Sequence, residues 1–448
     1  MNENKNLTIE ETFNIAVTNQ KKNRLKEAQI LYNKIIEVDP NHLPSLNNLG
    51  AIFTNLGEVQ KAKDCYKKVI ELEPNYVNAH FNLGAIFKAL GEYQKAKECN
   101  ERAIEINPNY VNALFNLGVI FTELGEYSKA KNCYKKAIEI NPNHENAYNN
   151  LGAIFTSLGE EQKAKNCCEK AIELNPNYAD AYSNLGAIFI NLKKYQKAKD
   201  YYKKAIEINP NHAVAHYNLG VIFINLGEGQ KAKDCYEKAI EINPDYVNAH
   251  SNLGIIFASL KKYQKAKECN EKAIEINPNF ADAYNNLGAI FRSQGQLQNA
   301  KGYYEKAIEL NPNYTDAYNN LGAIFINLKE YQKAKDCFEK VIELNPNYTD
   351  VHNNLGVIFI NLKEYQKAKS CCKKAIEINS NNSDTHNNLG NIYKELGEHQ
   401  KAKACYEKAI VIDPNNADIH NNLGLVFIEL GEDQKAKACY KKAIEINE

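Results

Sequence analysis

The chain has 448 residues, and its 55 Lys and Arg residues balance its 55 Asp and Glu residues. This zero net charge argues against a nucleic-acid-binding protein, which needs a concentrated basic face. No segment is apolar over the roughly 18 residues that a membrane span needs, and the polar start from Met1 to Glu10 does not resemble a signal peptide. We therefore expect a cytoplasmic protein whose twelve cysteines are reduced.

Proline recurs every 34 residues through most of the chain, which indicates an internal repeat. If proline is placed at position 32 of the unit, thirteen units cover residues 9–448. Their first residues are Ile9, Leu43, Val77, Val111, Glu145, Ala179, Ala213, Val247, Ala281, Thr315, Thr349, Ser383 and Ala417. We call these units repeats 1 to 13 and number positions within each unit from 1 to 34.

The N-terminal part departs from the pattern. Residues 1–8 are predicted to be a polar tail, and residues 9–42 form a degenerate repeat that we expect to cap the array. Thr8 and Glu11 have the spacing of a capping box for its first helix.

Each later unit predicts two helices, because apolar residues recur at helical spacing in two segments. In residues 77–110 the segments are separated by Gly91, and glycine relieves strain just past a helix end. Four units have lysine in this turn, and we expect those turns to be strained or differently closed: Lys193, Lys261, Lys329 and Lys363. The second helix ends at an Asn-Pro-Asn loop, in which asparagine can cap the next helix.

Small residues predict close contact between the two helices. Position 8 is glycine in twelve units and position 20 is alanine in all thirteen. Glycine within a helix costs about 1 kcal/mol relative to alanine, so its recurrence needs a packing reason. We expect the aromatic residue at position 11, such as Phe87, to sit against this shallow surface.

The pattern resembles the tetratricopeptide repeat family over essentially the whole chain. The residues that carry the resemblance in repeat 3 are Leu83, Gly84, Phe87, Ala96, Ala103 and Pro108. The family implies an all-α, right-handed solenoid in which residues 43–448 form twelve repeats of one continuous superhelix. Its first helices would line a concave groove. The tryptophan usual at position 4 of the family is absent here, and Tyr or His mostly replaces it.

Position 6 is asparagine in every unit and is the strongest candidate for a binding surface. An amide both donates and accepts hydrogen bonds, so a row of amides could hold the backbone of an extended peptide. The arrangement resembles the asparagine ladder in the repeat domain of O-linked N-acetylglucosamine transferases. Alternatively, asparagine is simply common at this position and was copied by duplication. The residues are Asn14, Asn48, Asn82, Asn116, Asn150, Asn184, Asn218, Asn252, Asn286, Asn320, Asn354, Asn388 and Asn422.

Neighbouring positions suggest additional contacts. Position 5 is aromatic at Phe13, Phe81, Phe115 and Tyr217, and exposed aromatic residues in a groove are plausible anchors for a ligand. Position 2 changes from asparagine to aspartate along the chain. An acidic stripe there would favour basic ligands, although aspartate at a helix start also favours the helix dipole.

Ten cysteines recur at position 23, and histidines recur at position 4. Equivalent helices in stacked repeats lie roughly 10 Å apart, too far for a disulfide or a shared metal ion. Packing roles are therefore predicted for both. No phosphate-binding loop, nucleophile elbow or HExxH motif is present. We expect no enzyme activity, no metal and no cofactor.

These observations predict a scaffold that binds extended protein or peptide segments. One alternative is the substrate-recruiting arm of a larger glycosyltransferase-type enzyme. A second is a structural protein that self-associates through its C-terminal repeat, where Leu423, Ile444 and Ile446 are expected to leave an apolar face open.

Overall fold

A computed structural model describes residues 7–447, which form 26 α-helices, two per repeat. The chain divides into two compact units, Met1–Glu228 and Gly229–Glu448. The first unit contains α1 (Ile9–Lys21), α2 (Leu25–Val38), α3 (Leu43–Asn55), α4 (Val59–Leu72), α5 (Val77–Ala89), α6 (Tyr93–Ile106), α7 (Val111–Glu123), α8 (Tyr127–Ile140), α9 (Glu145–Ser157), α10 (Glu161–Leu174), α11 (Ala179–Asn191), α12 (Tyr195–Ile208) and α13 (Ala213–Asn225).

The second unit continues the same alternation of a first and a second helix. It contains α14 (Gly229–Ile242), α15 (Val247–Ser259), α16 (Tyr263–Ile276), α17 (Ala281–Ser293), α18 (Leu297–Leu310), α19 (Thr315–Asn327), α20 (Tyr331–Leu344), α21 (Thr349–Asn361), α22 (Tyr365–Ile378), α23 (Ser383–Glu395), α24 (His399–Ile412), α25 (Ala417–Glu429) and α26 (Asp433–Asn447). The expected continuous superhelix over residues 43–448 stays a prediction.

The helix boundaries follow from local signals in the sequence. Thr8 and Glu11 form the expected capping box at the start of α1, with hydrogen bonds in both directions. The loop asparagines act differently from the prediction. In the Asn-Pro-Asn loop Asn107 accepts a hydrogen bond from the backbone N–H of Asn109, which closes the turn, and Tyr110 occupies the N-cap of α7. Across the first helices of residues 9–429, asparagine side chains form this cap in repeats 12 and 13, at Asn382 and Asn416.

The repeated glycine at position 8 makes room for the residue at position 24 of the same repeat. A Cβ atom on Gly118 would lie 2.6 Å from the ring of Tyr134, and one on Gly50 would lie 2.7 Å from the ring of Tyr66. The prediction that the position 11 aromatic occupies this surface is therefore wrong. Phe87 at position 11 instead lies beneath the Nζ of Lys63 in the preceding repeat.

The residue at position 4 joins consecutive repeats. Where it is histidine, and also at Tyr284, its side chain hydrogen-bonds the backbone oxygen at position 32 of the preceding repeat, as in His80 to Pro74 (2.9 Å) and Tyr284 to Pro278 (3.3 Å). His352, His386 and His420 make the same contact and are buried. The histidines therefore have a structural partner at the place where the family usually has tryptophan.

Leu423 is wrongly predicted to lie on an open apolar face. It belongs to the core with 5% of its surface exposed, whereas Ile444 is 59% exposed. Among the helices of residues 9–447, none combines the length and apolar character needed to cross a membrane.

The four turns with lysine have the same closure as those with glycine. Lys193, Lys261, Lys329 and Lys363 have φ between 55° and 60°, and Gly91 has φ 73°. In both types the residue after the turn donates a backbone hydrogen bond to position 11, as Glu92 does to Phe87 and Lys194 does to Phe189. The lysine turns are therefore strained rather than differently closed, because a Cβ atom disfavours positive φ.

Replacing Lys261, Lys329 and Lys363 with glycine is expected to raise the thermal unfolding midpoint. Each change removes a left-handed strain of about 1–2 kcal/mol and adds an unfolded-chain entropy cost of about 0.5–1 kcal/mol, which leaves a net gain of up to about 1.5 kcal/mol per site. Circular dichroism measures the midpoint. Lys262→Gly is the matched control, because Lys262 has φ −85°. An equal effect of the control would contradict the strain.

Candidate functional site

The asparagines at position 6 lie on the same side of successive first helices. Positions 2, 6, 9 and 13 share one helix face, which we call the asparagine face. Most of the position 6 side chains are half-buried, Asn116 is buried and Asn14 is exposed. They are therefore accessible to a ligand in both units while being partly held by the protein.

Within residues 7–447, at least six of these asparagines are bound to the preceding repeat by a hydrogen bond that could not be predicted from the sequence. The Nδ2 of position 6 donates to the side-chain oxygen at position 5 of the repeat before it. The pairs are Asn82 to Asn47 (3.3 Å), Asn184 to Asn149 (2.8 Å), Asn286 to Ser251 (3.0 Å), Asn320 to Asn285 (3.1 Å), Asn388 to Asn353 (3.0 Å) and Asn422 to Asn387 (3.1 Å). The sequence feature that accompanies each of these bonds is an Asn or Ser at position 5 of the repeat that precedes the donor.

Other position 6 asparagines contact position 24 or position 12 of the preceding repeat. Asn48 donates to the hydroxyl of Tyr32 (3.0 Å), and Asn150 donates to the hydroxyl of Tyr134 (3.4 Å). The Oδ1 of Asn116 accepts from Lys88 (3.2 Å). The asparagine row therefore helps to stack the repeats in addition to forming a surface.

The aromatic residues at position 5 are less available than the sequence suggested. Phe13, Phe81, Phe115 and Tyr217 are half-buried. Phe115 packs on the ring of His144 in its own loop, with centroids 4.9 Å apart, and Phe81 packs edge-on against Tyr110 at 5.4 Å. Phe13 likewise packs edge-on against His42 at 5.4 Å. These three rings thus support the loop before the next first helix, and the role of all four as ligand anchors stays a prediction.

The position 2 residues are exposed and some contact the loop of their own repeat. Asn78 accepts a hydrogen bond from the hydroxyl of Tyr110 (3.0 Å). The Oδ1 of Asp180 lies 3.0 Å from Nε2 of His212, and this hydrogen bond holds the pKa of Asp180 below its usual value. The predicted acidic stripe is therefore exposed, but at Asp180 it also has a structural partner.

The cysteines have the properties of packed thiols. All twelve are free, and within residues 7–447 no cluster of three or more His, Cys, Asp or Glu side chains could hold a metal ion. Burial raises the pKa of Cys65, Cys99 and Cys133 to about 11 and that of Cys168 to about 12. A thiol with such a pKa is almost entirely protonated at neutral pH, which is consistent with a packing role.

The fold and this face define an all-α array of stacked helical hairpins. The tetratricopeptide repeat model matches nine consecutive copies over residues 77–382 and another at 417–448. Related tetratricopeptide repeat models match residues 13–42, 31–64 and 371–404, and a TPR repeat model matches 50–91 and 390–431. The chain therefore belongs to the tetratricopeptide repeat family. No curated protein matches it.

Three solved structures are similar to this chain, and the first of them supports the fold. The APC/C hetero-tetramer Cut9-Hcn1 aligns with 96% of this chain and 92% of that chain, at 15% identity and a TM-score of 0.54. PilF of Pseudomonas aeruginosa aligns with 46% of this chain and 94% of its own, at 22% identity and a TM-score of 0.43. YrrB, described as a TPR protein with an unusual peptide-binding site, aligns with 41% and 95% at 27% identity and a TM-score of 0.34.

The bond between Asn149 and Asn184 is expected to stabilise the contact between α9 and α11. A double-mutant cycle with Asn149→Ala and Asn184→Ala should give a coupling energy of about 1 kcal/mol. Because long repeat arrays unfold without full cooperativity, local opening free energies from amide hydrogen exchange are the suitable measurement. The control cycle pairs Asn149→Ala with Asn82→Ala, two repeats away, and should give no coupling. Equal coupling in both cycles would refute the contact's contribution.

The thiols are expected to react slowly with Ellman's reagent in the folded protein. At pH 8 a thiol with a pKa near 11 has about 100-fold less thiolate than one with a pKa of 9.0, the ordinary value. The reaction should accelerate by at least about 50-fold when guanidinium unfolds the chain, and in the folded state it should rise with pH up to about 11. Rapid reaction of all twelve cysteines in the native protein would contradict their burial.

Proposed function

We propose that the protein is a non-catalytic scaffold that binds extended peptide segments along the asparagine face. The observation that carries this proposal is the row of half-buried position 6 amides on successive first helices, many of them oriented by a bond to the preceding repeat. Protein interaction is the role that the family suggests. The peptide-binding site named in the description of YrrB is a property of that protein.

Orientation by the preceding repeat prepares the amides for a ligand. An asparagine amide has two N–H donors and an oxygen with two lone pairs. In Asn388 the described bond to Asn353 uses one N–H, and the remaining capacity can serve a peptide N–H or carbonyl. A side chain that is already held loses less entropy on binding, so the same bond that stacks the repeats favours recognition.

The spacing of the helices fits an extended chain. Adjacent packed helices lie about 8–10 Å apart, and an extended peptide rises about 3.3 Å per residue. A peptide that crosses the first helices therefore meets one position 6 amide about every three residues. Apolar side chains on the same face, including Ile255 (50% exposed) and Leu425 (45% exposed), would contact the ligand between the amides.

The test compares two triple variants of the second unit. Asn320, Asn388 and Asn422 are changed to alanine, which removes three face amides together with their bonds to the preceding repeats. The probe is the tightest binder from a displayed library of random 16-residue peptides, labelled for fluorescence anisotropy. Loss of three hydrogen bonds of about 0.5–1.5 kcal/mol each should weaken binding at least 10-fold.

The matched control changes Asn285, Asn353 and Asn387 to alanine. These residues are the acceptors of the same three bonds, so the control breaks the same contacts between repeats while keeping the face amides. We expect it to weaken binding as well, because the amides lose their orientation, but at least about 3-fold less than the first variant does, a difference of about 0.6 kcal/mol. Equal losses in the two variants, or none in the first, would remove the proposal. The glycosyltransferase arm and the self-associating scaffold stay predictions of the sequence.

A further inference from the structure

A cavity of about 390 Å³ opens on the asparagine face between α15 and α17 in the second unit. Its apolar lining includes Ile255, Ala258 and Ala289, and its polar lining includes Asn270, Asn286 and Ser293. Asn270 is fully buried. Its Nδ2 donates to the backbone oxygen of Ala266 (2.8 Å), and its Oδ1 accepts from Asn286 (3.2 Å). The polar residue at position 24 is therefore satisfied without filling the space.

Most other repeats place an aromatic ring at position 24, over the glycine at position 8. Position 24 is tyrosine in eight of the thirteen units, but Asn270 in repeat 8. In repeat 4 the hydroxyl of Tyr134 lies 3.2 Å from Oγ1 of Thr122 at position 12, and it accepts from Asn150 at position 6 of the next repeat. The residues at those two positions around repeat 8 are Ala258 and Asn286, which both line the cavity. The cavity therefore coincides with the place where the outer end of a phenol lies elsewhere in this chain.

Repeat 3 fills the same space in another way. It also has asparagine at position 24, Asn100, but its position 12 is Lys88 rather than alanine. The Nζ of Lys88 reaches Oδ1 of Asn116 at position 6 of the next repeat (3.2 Å), and burial lowers the pKa of Lys88. Repeat 8 is the one unit of the sequence that combines asparagine at position 24 with alanine at position 12. Repeat 8 thus lacks both the tyrosine at position 24 of most repeats and the lysine at position 12 of repeat 3.

We propose that this cavity binds an aromatic side chain of the ligand, preferentially tyrosine, in place of the missing ring. This proposal rests on the peptide-binding function proposed above and refines it. It adds one pocket that distinguishes side chains to a face of repeated amides. Its apolar walls suit the ring. The N–H groups of Asn286 are used by Ser251 and Asn270, and the hydroxyl of Ser293 donates to Ala289. The Oδ1 of Asn286 and the Oγ of Ser293 are therefore the acceptors that suit a phenol hydroxyl. The volume lies at the small end of the range of about 300–1,000 Å³ typical of ligand pockets, and tyrosine is enriched among the anchors of protein interfaces.

The experiment uses p-cresol, the side chain of tyrosine, and toluene, the side chain of phenylalanine, as probes. The full chain is labelled at isoleucine δ1-methyl groups, and binding is followed by NMR at Ile255 and Ile290, which both line the cavity. We expect saturable shifts at these two residues and at least 3-fold tighter binding of p-cresol than of toluene. Equal affinity would overturn the preference for tyrosine, and shifts that do not saturate would overturn the site.

Two variants close the cavity with side chains that the chain already uses there. Asn270→Tyr copies the position 24 residue of repeat 9, and Ala258→Lys copies the position 12 residue of repeat 3. Each should weaken p-cresol binding at least 10-fold while the helical circular dichroism signal is kept, and either variant suffices if the other does not fold. Asn100→Tyr, the matched change in repeat 3, should leave p-cresol binding unchanged.

Unchanged binding in both closed variants would refute the proposal. The result is separable from the test of the proposed function, because p-cresol binding needs no peptide and the triple variants leave Asn270 and Ala258 intact. If the two triple variants bind the peptide equally well, the proposed peptide-binding function fails, but p-cresol binding would still support the pocket. Conversely, a peptide that binds equally well to wild type and both closed variants would leave the amide face standing without the pocket.

Discussion

The contact between the glycine at position 8 and the side chain at position 24 is the constraint on which the rest of each repeat depends. A Cβ atom on Gly118, Gly288 or Gly390 would lie 2.6 Å from a tyrosine ring atom, closer than real Cβ contacts come. The first helix therefore accepts the helical cost of glycine so that the second helix can approach it. Because the position 24 side chain is then fixed over the first helix, its outer end is directed toward the first helix of the next repeat.

That direction connects packing within a repeat to stacking between repeats. The hydroxyl of Tyr32 accepts from Asn48 and that of Tyr134 accepts from Asn150, each the position 6 asparagine of the next unit. The same asparagines lie half-buried on the asparagine face. Stacking on the preceding repeat therefore constrains position 6, which is asparagine in all thirteen units, whereas position 5 varies among asparagine, serine and aromatic residues. It also means that loss of an asparagine affects stability as well as any surface role.

The sequence predicted the helices well because their limits are set locally. Proline and glycine act on their own backbone, and the first helices begin at the predicted residues, such as Val77 and Val111. The residue that covers position 8 could not be predicted, because Phe121 and Tyr134 are both aromatic and a helical pattern does not say which one faces Gly118. The hydrogen bonds between asparagine side chains could not be predicted for a related reason. Asn149 and Asn184 are 35 residues apart, and their contact depends on how two hairpins stack.

A pattern repeated thirteen times makes a departure from it informative. At Asn270 the repeat lacks the ring that most repeats have at position 24. The Nδ2 and Oδ1 atoms of Asn270 both have hydrogen-bond partners. The substitution therefore leaves an unfilled space but no unsatisfied buried polar atom. Natural proteins concentrate such departures at functional sites. In the proposed function, repeated amides would hold a peptide backbone without regard to its sequence, whereas a single pocket would discriminate among side chains. Specificity is a difference between affinities, so one such pocket on a uniform face is sufficient to make the face selective.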